Sequence, residues 1–464
     1  MSIATPLINN TEDNILRTIE IYSKQGRLHH LYEEYQKKYG KDLNCNLLIP
    51  YLFNKKIYKL YIINHPKDAE RLTNNHIKKM PNLKPFLMDS IISTTDVNHW
   101  REQRNEFSDA FSVYDELEKN ISISCLRADY CKDLLWEMSN DGINEININE
   151  FFLNETMAQL QLAMFGLNEN FQRETNYKIR KAFSNFDNVY GKKYIKKLYK
   201  ELPKSKGPLS KVLNERNCSK SEKFGNSTIF TFAGHDTTGH TLSWLIYELC
   251  KNSEYQNRLQ NEVDIFWIEQ GDKEIKYNDL KRLKFMTLCI QETLRLWPAL
   301  TNGTYRELVK DDYITDKYGN KLYLKKGTWI QIPNWSRHRN PDLWGDDASI
   351  FNPDRNFLED EIWDNEFLAP FNPYSERFSP FTFTPRDCIG KNFAQIEMRI
   401  ILLYLLKQFN FNLTKKQLDM NLDLISYNSF TLGPRNIYNK NLEDNTLGLY
   451  VYVNKRLSDN RCKL

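Results

Sequence analysis

Apolar positions recur at helical spacing along most of this chain. In residues 28–40, leucines and tyrosines share one face and the run ends at a glycine, which predicts an amphipathic helix. The same spacing predicts helices over residues 221–251, 281–296 and 392–406. The stretch from about residue 99 to 300 is therefore expected to be almost wholly helical.

A few short segments alternate with a period of two instead. Residues 56–63 predict a strand, which ends before Pro66, and residues 67–74 then predict a short helix. Strand-like patterns return at residues 313–332 and 447–453. The pattern as a whole predicts a mainly α fold with a small β subdomain.

The 464 residues contain no internal repeat and no linker rich in Pro, Gly and Ser. Although length alone favours about three domains, we expect a single catalytic domain over residues 1–464. Within it, residues 1–27 are predicted to be an N-terminal extension, and about 28–98 are predicted to include the β-rich subdomain.

Charge and cysteine usage narrow the functional class. The 64 basic and 60 acidic residues nearly balance, which argues against a nucleic-acid-binding protein. The eight cysteines form no C-x-x-C pair, as is typical of reduced intracellular thiols. The first 26 residues contain charges and no apolar block, so we expect a cytoplasmic protein with no transmembrane anchor.

One basic segment leaves two interpretations open. Residues 178–206 contain ten basic residues against Asp187 and Glu201. They form either a solvated basic face or a surface that contacts an anionic membrane or an acidic partner. Peripheral membrane association is therefore compatible with the absence of an anchor.

Cys388 has the most informative surroundings. Phe381 precedes it by seven positions, Arg386 by two, and Gly390 follows by two. A helical run begins directly afterwards, so backbone N–H groups and the helix dipole are expected to favour a thiolate. Gly390 has no side chain and permits close approach of a flat cofactor. A lone cysteine is more often an inert core residue, and the surrounding pattern favours a metal ligand.

Residues 381–390 resemble the haem-binding signature of the cytochrome P450 family. The resemblance implies haem b as the cofactor, with the Cys388 thiolate as axial ligand of the iron. Thr384 stands where the family usually has glycine. Because its β-branched side chain restricts the backbone, we expect a locally reshaped loop.

The mid-helix segment 230–240 resembles the family's oxygen-activation motif. On its residues alone, the segment is equally consistent with a helix kink. The resemblance implies that Ala233 and Gly234 leave room above the haem. It also implies that Asp236 and Thr237 are catalytic and relay protons.

Glu292 and Arg295, three apart on one helix face, resemble the family's buried structural ion pair. Taken alone, such a spacing arises by chance on many helices. The resemblance implies Arg355 as the third member, in preference to Arg377 in a competing triplet.

Four residues match the family's contacts to the haem propionates. Trp100 and Arg104 lie one turn apart on a predicted helix, and Arg306 and Arg386 lie far along the chain. A surface salt bridge is the ordinary alternative for each arginine. Each donor to a carboxylate is expected to contribute about 1.5–3 kcal/mol to binding.

The resemblance implies a monooxygenase that activates O2 and oxidises a small apolar substrate. The chain has no G-x-G-x-x-G motif, so we expect electrons from an external flavoprotein reductase or ferredoxin. Lys391, Arg399 and Lys407 are candidates for docking it. Residues 299–304 and 430–432 are candidate pocket residues.

Two alternatives remain open: a haem-thiolate isomerase or peroxygenase, and a non-catalytic haem-binding or sensor protein. Thr384 and a short roof leave room for the second. Only 67 positions separate Gly166 from Ala233, fewer than the family usually has. We therefore expect a shortened substrate-roof region in which short helices are joined by a mobile loop, over a more open pocket.

Overall fold

The computed structural model describes residues 18–19, 21–39, 45–50, 57–112, 114–168, 189–315, 319–363, 375–420, 425–428, 430–438 and 447–456. Its α-helices are α1 Leu28–Tyr39, α2 Pro66–Asn75, α3 Lys84–Leu87, α4 Val97–Ser112, α5 Tyr114–Ser139, α6 Ile148–Gln159, α7 Val189–Glu201, α8 Pro208–Glu215, α9 Lys220–Lys251, α10 Ser253–Gln270, α11 Lys284–Leu296, α12 Asn334–His338, α13 Pro341–Trp344, α14 Lys391–Gln408 and α15 Lys415–Leu418. A π-helical segment, Leu160–Phe165, extends α6, and 3₁₀ turns occupy Pro81–Leu83, Leu202–Lys204, Tyr277–Arg282 and Glu359–Glu361.

The strands are short and peripheral. They are β1 Cys45–Pro50, β2 Ile57–Ile62, β3 Ile146–Asn147, β4 Thr304–Glu307, β5 Asp312–Thr315, β6 Lys321–Leu324, β7 Trp329–Ile332, β8 Phe409–Leu413, β9 Ser426–Asn428, β10 Leu432–Pro434 and β11 Tyr450–Lys455. One sheet has the order β1-β2-β7-β4 with β2 parallel to β7, and another the order β3-β11-β8; β5-β6 and β9-β10 are antiparallel pairs. The mainly helical fold with small sheets confirms the predicted class.

The elements predicted from periodicity are present with small boundary shifts, and β1 is an addition. Its sequence, Cys-Asn-Leu-Leu-Ile-Pro, does not alternate between apolar and polar residues, so the pattern does not predict a strand. It exists because it pairs along its whole length with β2, from Cys45 opposite Ile62 to Pro50 opposite Ile57. The predicted strand region 313–332 is divided among β5, β6 and β7.

Helix α9 crosses the core and organises the site. The Ser219 hydroxyl caps it by accepting the Glu222 N–H at 3.0 Å. Further along, Trp244 stacks on Trp297 with centroids 4.0 Å apart. These contacts fix the helix that carries residues 230–240.

The segment before α9 is short and tightly packed. A Cβ on Gly166 (φ +65°) would lie 2.3 Å from the Gly207 nitrogen, and one on Gly207 would lie 2.3 Å from the Phe165 carbonyl carbon. The Ser210 hydroxyl donates to the Phe165 carbonyl oxygen at 2.7 Å. The expected mobile loop falls here, where the 3₁₀ turn Leu202–Lys204 is followed by Gly207, which docks on the end of the π-helical segment directly before α8. The reason is that two glycines allow backbone to meet backbone there.

Part of the roof lies outside the described residues. Residues 169–188 belong to that part, and they include residues 178–188 of the basic stretch 178–206. The described roof helices, α7 and α8, have 13 and 8 residues. Within the described part of the chain, no helix combines the length with the apolarity that crossing a bilayer requires.

Candidate functional site

The loop that carries Cys388 is held between α4 and α14 by charged groups. Arg104 donates to the carbonyl oxygen of Asp387 at 2.8 Å and to its Oδ1 at 3.0 Å. Lys391 Nζ donates to Asp387 Oδ2 at 2.7 Å. The Cys388 N–H donates to the Phe381 carbonyl oxygen at 2.9 Å. The sulfur is therefore placed by a closed turn with two cations on its flank.

Cys388 faces an interior space. Its side chain is exposed, yet burial raises the pKa of the thiol above its ordinary value. A side chain that is surrounded by dense protein on all sides but one is both accessible and strongly desolvated. The Gly390 N–H, Lys391 and Arg104 act in the opposite direction and lower this pKa. The groups expected to favour the thiolate are present. However, desolvation raises the pKa of the thiol by more than these groups lower it, and a positively charged group bound to the sulfur would shift the balance toward the thiolate.

Gly390 caps α14 with an ordinary φ of −88°. A Cβ added there would meet only Phe111, at 3.7 Å. The protein itself therefore leaves room for a side chain beside the thiol, as a cradle for a separate group requires. Thr384 does not have positive φ; the left-handed residue of this loop is Thr382, at φ 61°. Backbone strain thus lies two residues before the position where the family has glycine.

Three cations gather near this loop: Arg306 and Arg386 are buried, and Lys79 is partly accessible. Lys79 Nζ donates to Thr304 Oγ1 at 2.8 Å, and Arg306 donates to the same hydroxyl. Arg386 lies over the Trp100 ring, 4.6 Å from its centroid, and donates to the Thr94 carbonyl oxygen. Burial lowers the pKa of Arg306 and of Arg386 to about 9, and desolvation together with these two guanidinium groups lowers the pKa of Lys79.

These cations lack counter-ions. In the described part of the chain no carboxylate pairs with any of the three, and four of their nitrogens are buried without a partner: Arg306 Nε and Nη2, and Arg386 Nε and Nη1. Buried unpaired cations are costly, so the cluster fits a ligand that brings carboxylates. Of the predicted propionate contacts, Trp100, Arg306 and Arg386 lie here, while Arg104 contacts Asp387.

Lys79 was missed at the sequence level. It follows Lys78, which pairs with Glu307 at 2.6 Å. Nothing in the sequence distinguishes the lysine that pairs with a carboxylate from the one that joins the cation cluster, because the difference arises from how the segment 76–80 folds over β4.

On α9, the partly accessible positions Ala233, Asp236 and Thr237 share one face. Thr237 Oγ1 donates to the Ala233 carbonyl oxygen at 2.9 Å. Ala233 belongs to the rim of an apolar cluster that also includes Trp100 and Ile389, next to Cys388. The structure thus brings the α9 motif, the cysteine loop and the predicted propionate contacts to one place.

Gly234 packs against the π-helical segment. A Cβ there would lie 2.6 Å from a methyl group of Leu160, the far end of a flexible side chain. α9 therefore approaches the π-helical segment closely here, and a larger residue would displace the Leu160 side chain. Ala233 and Gly234 are both partly accessible.

A second acid lies behind α9. Glu397 of α14 is fully buried, and burial together with the Glu155 carboxylate raises its pKa well above the ordinary value. The Thr238 hydroxyl partly offsets that rise. Burial and the Glu155 carboxylate thus both favour the protonated form of Glu397. The helical pattern of residues 392–406 gave no signal for it beyond a lone acid among apolar residues.

The structural ion pair is fully buried. Arg295 Nε and Nη2 donate to the two carboxylate oxygens of Glu292 at 2.6 and 2.7 Å. Arg355 Nε lies 3.2 Å from Glu292 Oε1, whereas Arg377 pairs with Glu361 at 2.8 Å. The structure places Arg355, and not Arg377, in this cluster.

Two buried or half-buried histidines, His99 and His338, form hydrogen bonds with other residues. His99 Nε2 lies 2.9 Å from Glu222, and His338 Nε2 accepts the Ser379 N–H at 3.1 Å. Two of the three cations proposed for partner docking are also unsuited to it. Lys391 and Arg399 are buried, so only Lys407 reaches solvent.

The site was tested against haem b, the cofactor that the resemblance implies. The group needs a sulfur ligand, apolar walls and donors for two carboxylates. Cys388, the apolar cluster with Trp100 and Phe111, and the three unpaired cations supply these. The residues present fit the group.

Comparison with known proteins agrees. Residues 190–440 match the family model for cytochrome P450. The chain is 35% identical over 187 residues to putative cytochrome P450 CYP13A6 of Caenorhabditis elegans, covering 40% of this chain and 33% of that protein. It is 33% identical over 229 residues to CYP13A4 of the same organism, covering 49% and 40%, and 33% identical over 201 residues to human cytochrome P450 4F8, covering 43% and 36%.

The matched region thus spans 33–40% of the length of these relatives. The family match covers more than half of this chain and includes Cys388, the α9 motif and the Glu292–Arg295 pair. The chain belongs to the cytochrome P450 family.

Proposed function

We propose that this protein is a haem-thiolate monooxygenase that uses O2 and externally supplied electrons to oxidise a small apolar substrate. The observation that carries the proposal is the Asp236–Thr237 pair on the accessible face of α9. A haem-thiolate isomerase or a sensor has no need of a carboxylate and a hydroxyl that deliver protons. Family membership implies haem b as the cofactor, whose iron, when bound, supplies the redox chemistry and takes electron density from the thiolate.

The residues around the site have separable tasks. Cys388 would hold the haem iron, and Lys79, Arg306 and Arg386 would hold the two propionates. Trp100 and Phe111 supply apolar surface that excludes water.

Asp236 and Thr237 hold and move protons. The Thr237 hydroxyl, now bound to the Ala233 carbonyl oxygen, can rotate to present its proton toward the oxygen site, and Asp236 replenishes that proton. Because O2 reduction consumes protons, their supply at this face determines whether electrons end in product or in hydrogen peroxide.

Electrons come from a separate flavoprotein reductase or ferredoxin. Of the three cations expected to dock it near the Cys388 face, Lys391 and Arg399 are buried, and Lys407 lies 16 residues beyond Lys391 on α14, about 24 Å along the helix. The substrate is an apolar molecule that contacts residues 299–304 and 430–432. A cytoplasmic location, with peripheral membrane contact through residues 178–206, stays a prediction.

Turnover with a surrogate reductase tests the proposed function. Substrate-dependent oxygen incorporation from ¹⁸O2 supports a monooxygenase. Product that forms only with hydrogen peroxide would favour a peroxygenase, rearrangement without electron input an isomerase, and haem binding without any turnover a sensor.

Thr237→Ala is expected to lower product per electron by about tenfold or more, because it removes the hydroxyl that delivers protons. Haem content and the carbon monoxide spectrum should stay as in the wild type. Hydrogen peroxide should account for the missing electrons, and Thr237→Ser should restore coupling. An unchanged product yield in Thr237→Ala would show that the hydroxyl has no such role.

A further inference from the structure

The β9–β10 hairpin lies along one stripe of α9. Residues 236, 240 and 244 are spaced by four and share a helix face. Thr431 donates its hydroxyl proton to Asp236 Oδ2, and Trp244 Nε1 donates to the Leu432 carbonyl oxygen at 2.9 Å. Between them, a Cβ on Gly433 would lie 2.7 Å from His240 Cε1. The hairpin thus touches the catalytic acid and the two positions that follow it on the stripe.

His240 links that acid to a second helix. The ring is buried, and its Nδ1 lies 2.8 Å from Asn149 Oδ1 on α6. An amide oxygen only accepts, so, with the amide as placed, Nδ1 carries a proton and donates it. Nε2 is then the ring nitrogen on the side of Asp236, 3.7 Å from Oδ1.

The Asp236 carboxylate is therefore approached from two sides. The Thr431 hydroxyl engages Oδ2, and the His240 imidazole faces Oδ1. Because Nδ1 donates to Asn149, the interaction with Asp236 falls to Nε2. The ring and the carboxylate attract each other when they share one further proton, on Nε2 or on the carboxylate. Two elements outside the motif, the hairpin and α6, thus determine where this carboxylate lies.

We propose that Thr431 and His240 are positioning residues for Asp236, and that the hairpin couples the substrate pocket to proton delivery. This deepens the proposed monooxygenase function and rests on it. Phe430 packs edge-on against Phe232, with ring centroids 5.0 Å apart, and directly precedes Thr431. A substrate that displaces Phe430 shifts Thr431, and with it the acid that supplies protons.

The test compares Thr431→Val and His240→Leu with Trp244→Phe. The third variant is the matched control: it removes a hydrogen bond between the same hairpin and the same helix without touching the carboxylate. Thr431→Val and His240→Leu are expected to lower product per electron by about tenfold, since misplacing a catalytic group has effects of that size or larger. Thr431→Ser should restore coupling, and Trp244→Phe should leave it unchanged.

A second readout does not depend on turnover. Histidine labelled with ¹⁵N in the diamagnetic reduced carbon monoxide complex reports the proton positions of His240, whose signals are assigned by their loss in His240→Leu. Asp236→Asn and Thr431→Val should shift both ring nitrogen resonances, whereas Trp244→Phe should not. Two results would overturn the positioning role: ring nitrogen resonances that stay at their wild-type positions, or an equal loss of product per electron in Thr431→Val, His240→Leu and Trp244→Phe. Absence of product in the wild type would instead refute the proposed function, with the resonance shifts still deciding the geometry.

Discussion

Glu292→Gln is expected to lower the free energy of unfolding by about 3–5 kcal/mol, because it leaves a buried guanidinium without its counter-ion. Arg295 has five N–H donors, and all are used. Two reach Glu292, and the others reach the carbonyl oxygens of His338, Ala348 and Ile350 at 2.7, 2.7 and 3.3 Å. Glutamine retains the shape of the side chain, so the loss reports charge and not a cavity.

The chain offers a matched control for this substitution. Glu116 and Lys119 have the same spacing, three residues apart on a helix, with Lys119 Nζ 2.8 Å from Glu116 Oε1 at the surface. Glu116→Gln should change the free energy of unfolding by less than about 1 kcal/mol. Urea unfolding followed by circular dichroism measures both. Equal losses in the two variants would contradict a structural role for the buried pair.

The double variant Arg306→Met, Arg386→Met is expected to weaken haem binding without lowering the stability of the cofactor-free protein. Without cofactor, the double variant should be at least as stable as the wild type, because it removes two desolvated cations that lack carboxylate partners. With cofactor, each arginine removed costs about 1.5–3 kcal/mol of binding. That corresponds to roughly tenfold or more in haem affinity per arginine.

Transfer of haem to excess apomyoglobin measures the second effect, and urea unfolding of the cofactor-free protein measures the first. Arg399→Met is the control, since Arg399 is also buried with a pKa lowered to about 9 but bonds to Gln395 and Thr287. It should leave haem transfer unchanged. A double variant that keeps its haem as firmly as the wild type would show that the cation cluster has another purpose.

The parts of the site that depend on short spacing were predictable from the sequence. Cys388 with its flanking residues and Glu292 with Arg295 lie within one loop or one helical turn, so their resemblance to the family's motifs can be read from the sequence. The ion pair's geometry follows from the three-residue interval once the helix forms.

The parts that depend on tertiary packing were not predictable. Lys79 joins the cation cluster only where its loop meets Thr304, and Gly234 approaches Leu160, which lies on another element. Lys391 looked available for a partner but pairs with Asp387. The Cys388 thiol also shows the limit of a local pattern. The helix end that follows it predicts a lowering of the thiol pKa, but burial, which no local pattern reveals, raises that pKa by more.

The most direct test of the central claim, that Cys388 is the axial ligand of a haem in this protein, is the absorption spectrum of the reduced protein under carbon monoxide. The account predicts the strongly red-shifted Soret band of a thiolate-ligated haem in the wild type, and its loss in Cys388→Ser. Cys250→Ser, at a thiol whose pKa is raised by burial in the core, is the control and should keep the band. A Cys388→Ser spectrum identical to that of the wild type would contradict the account.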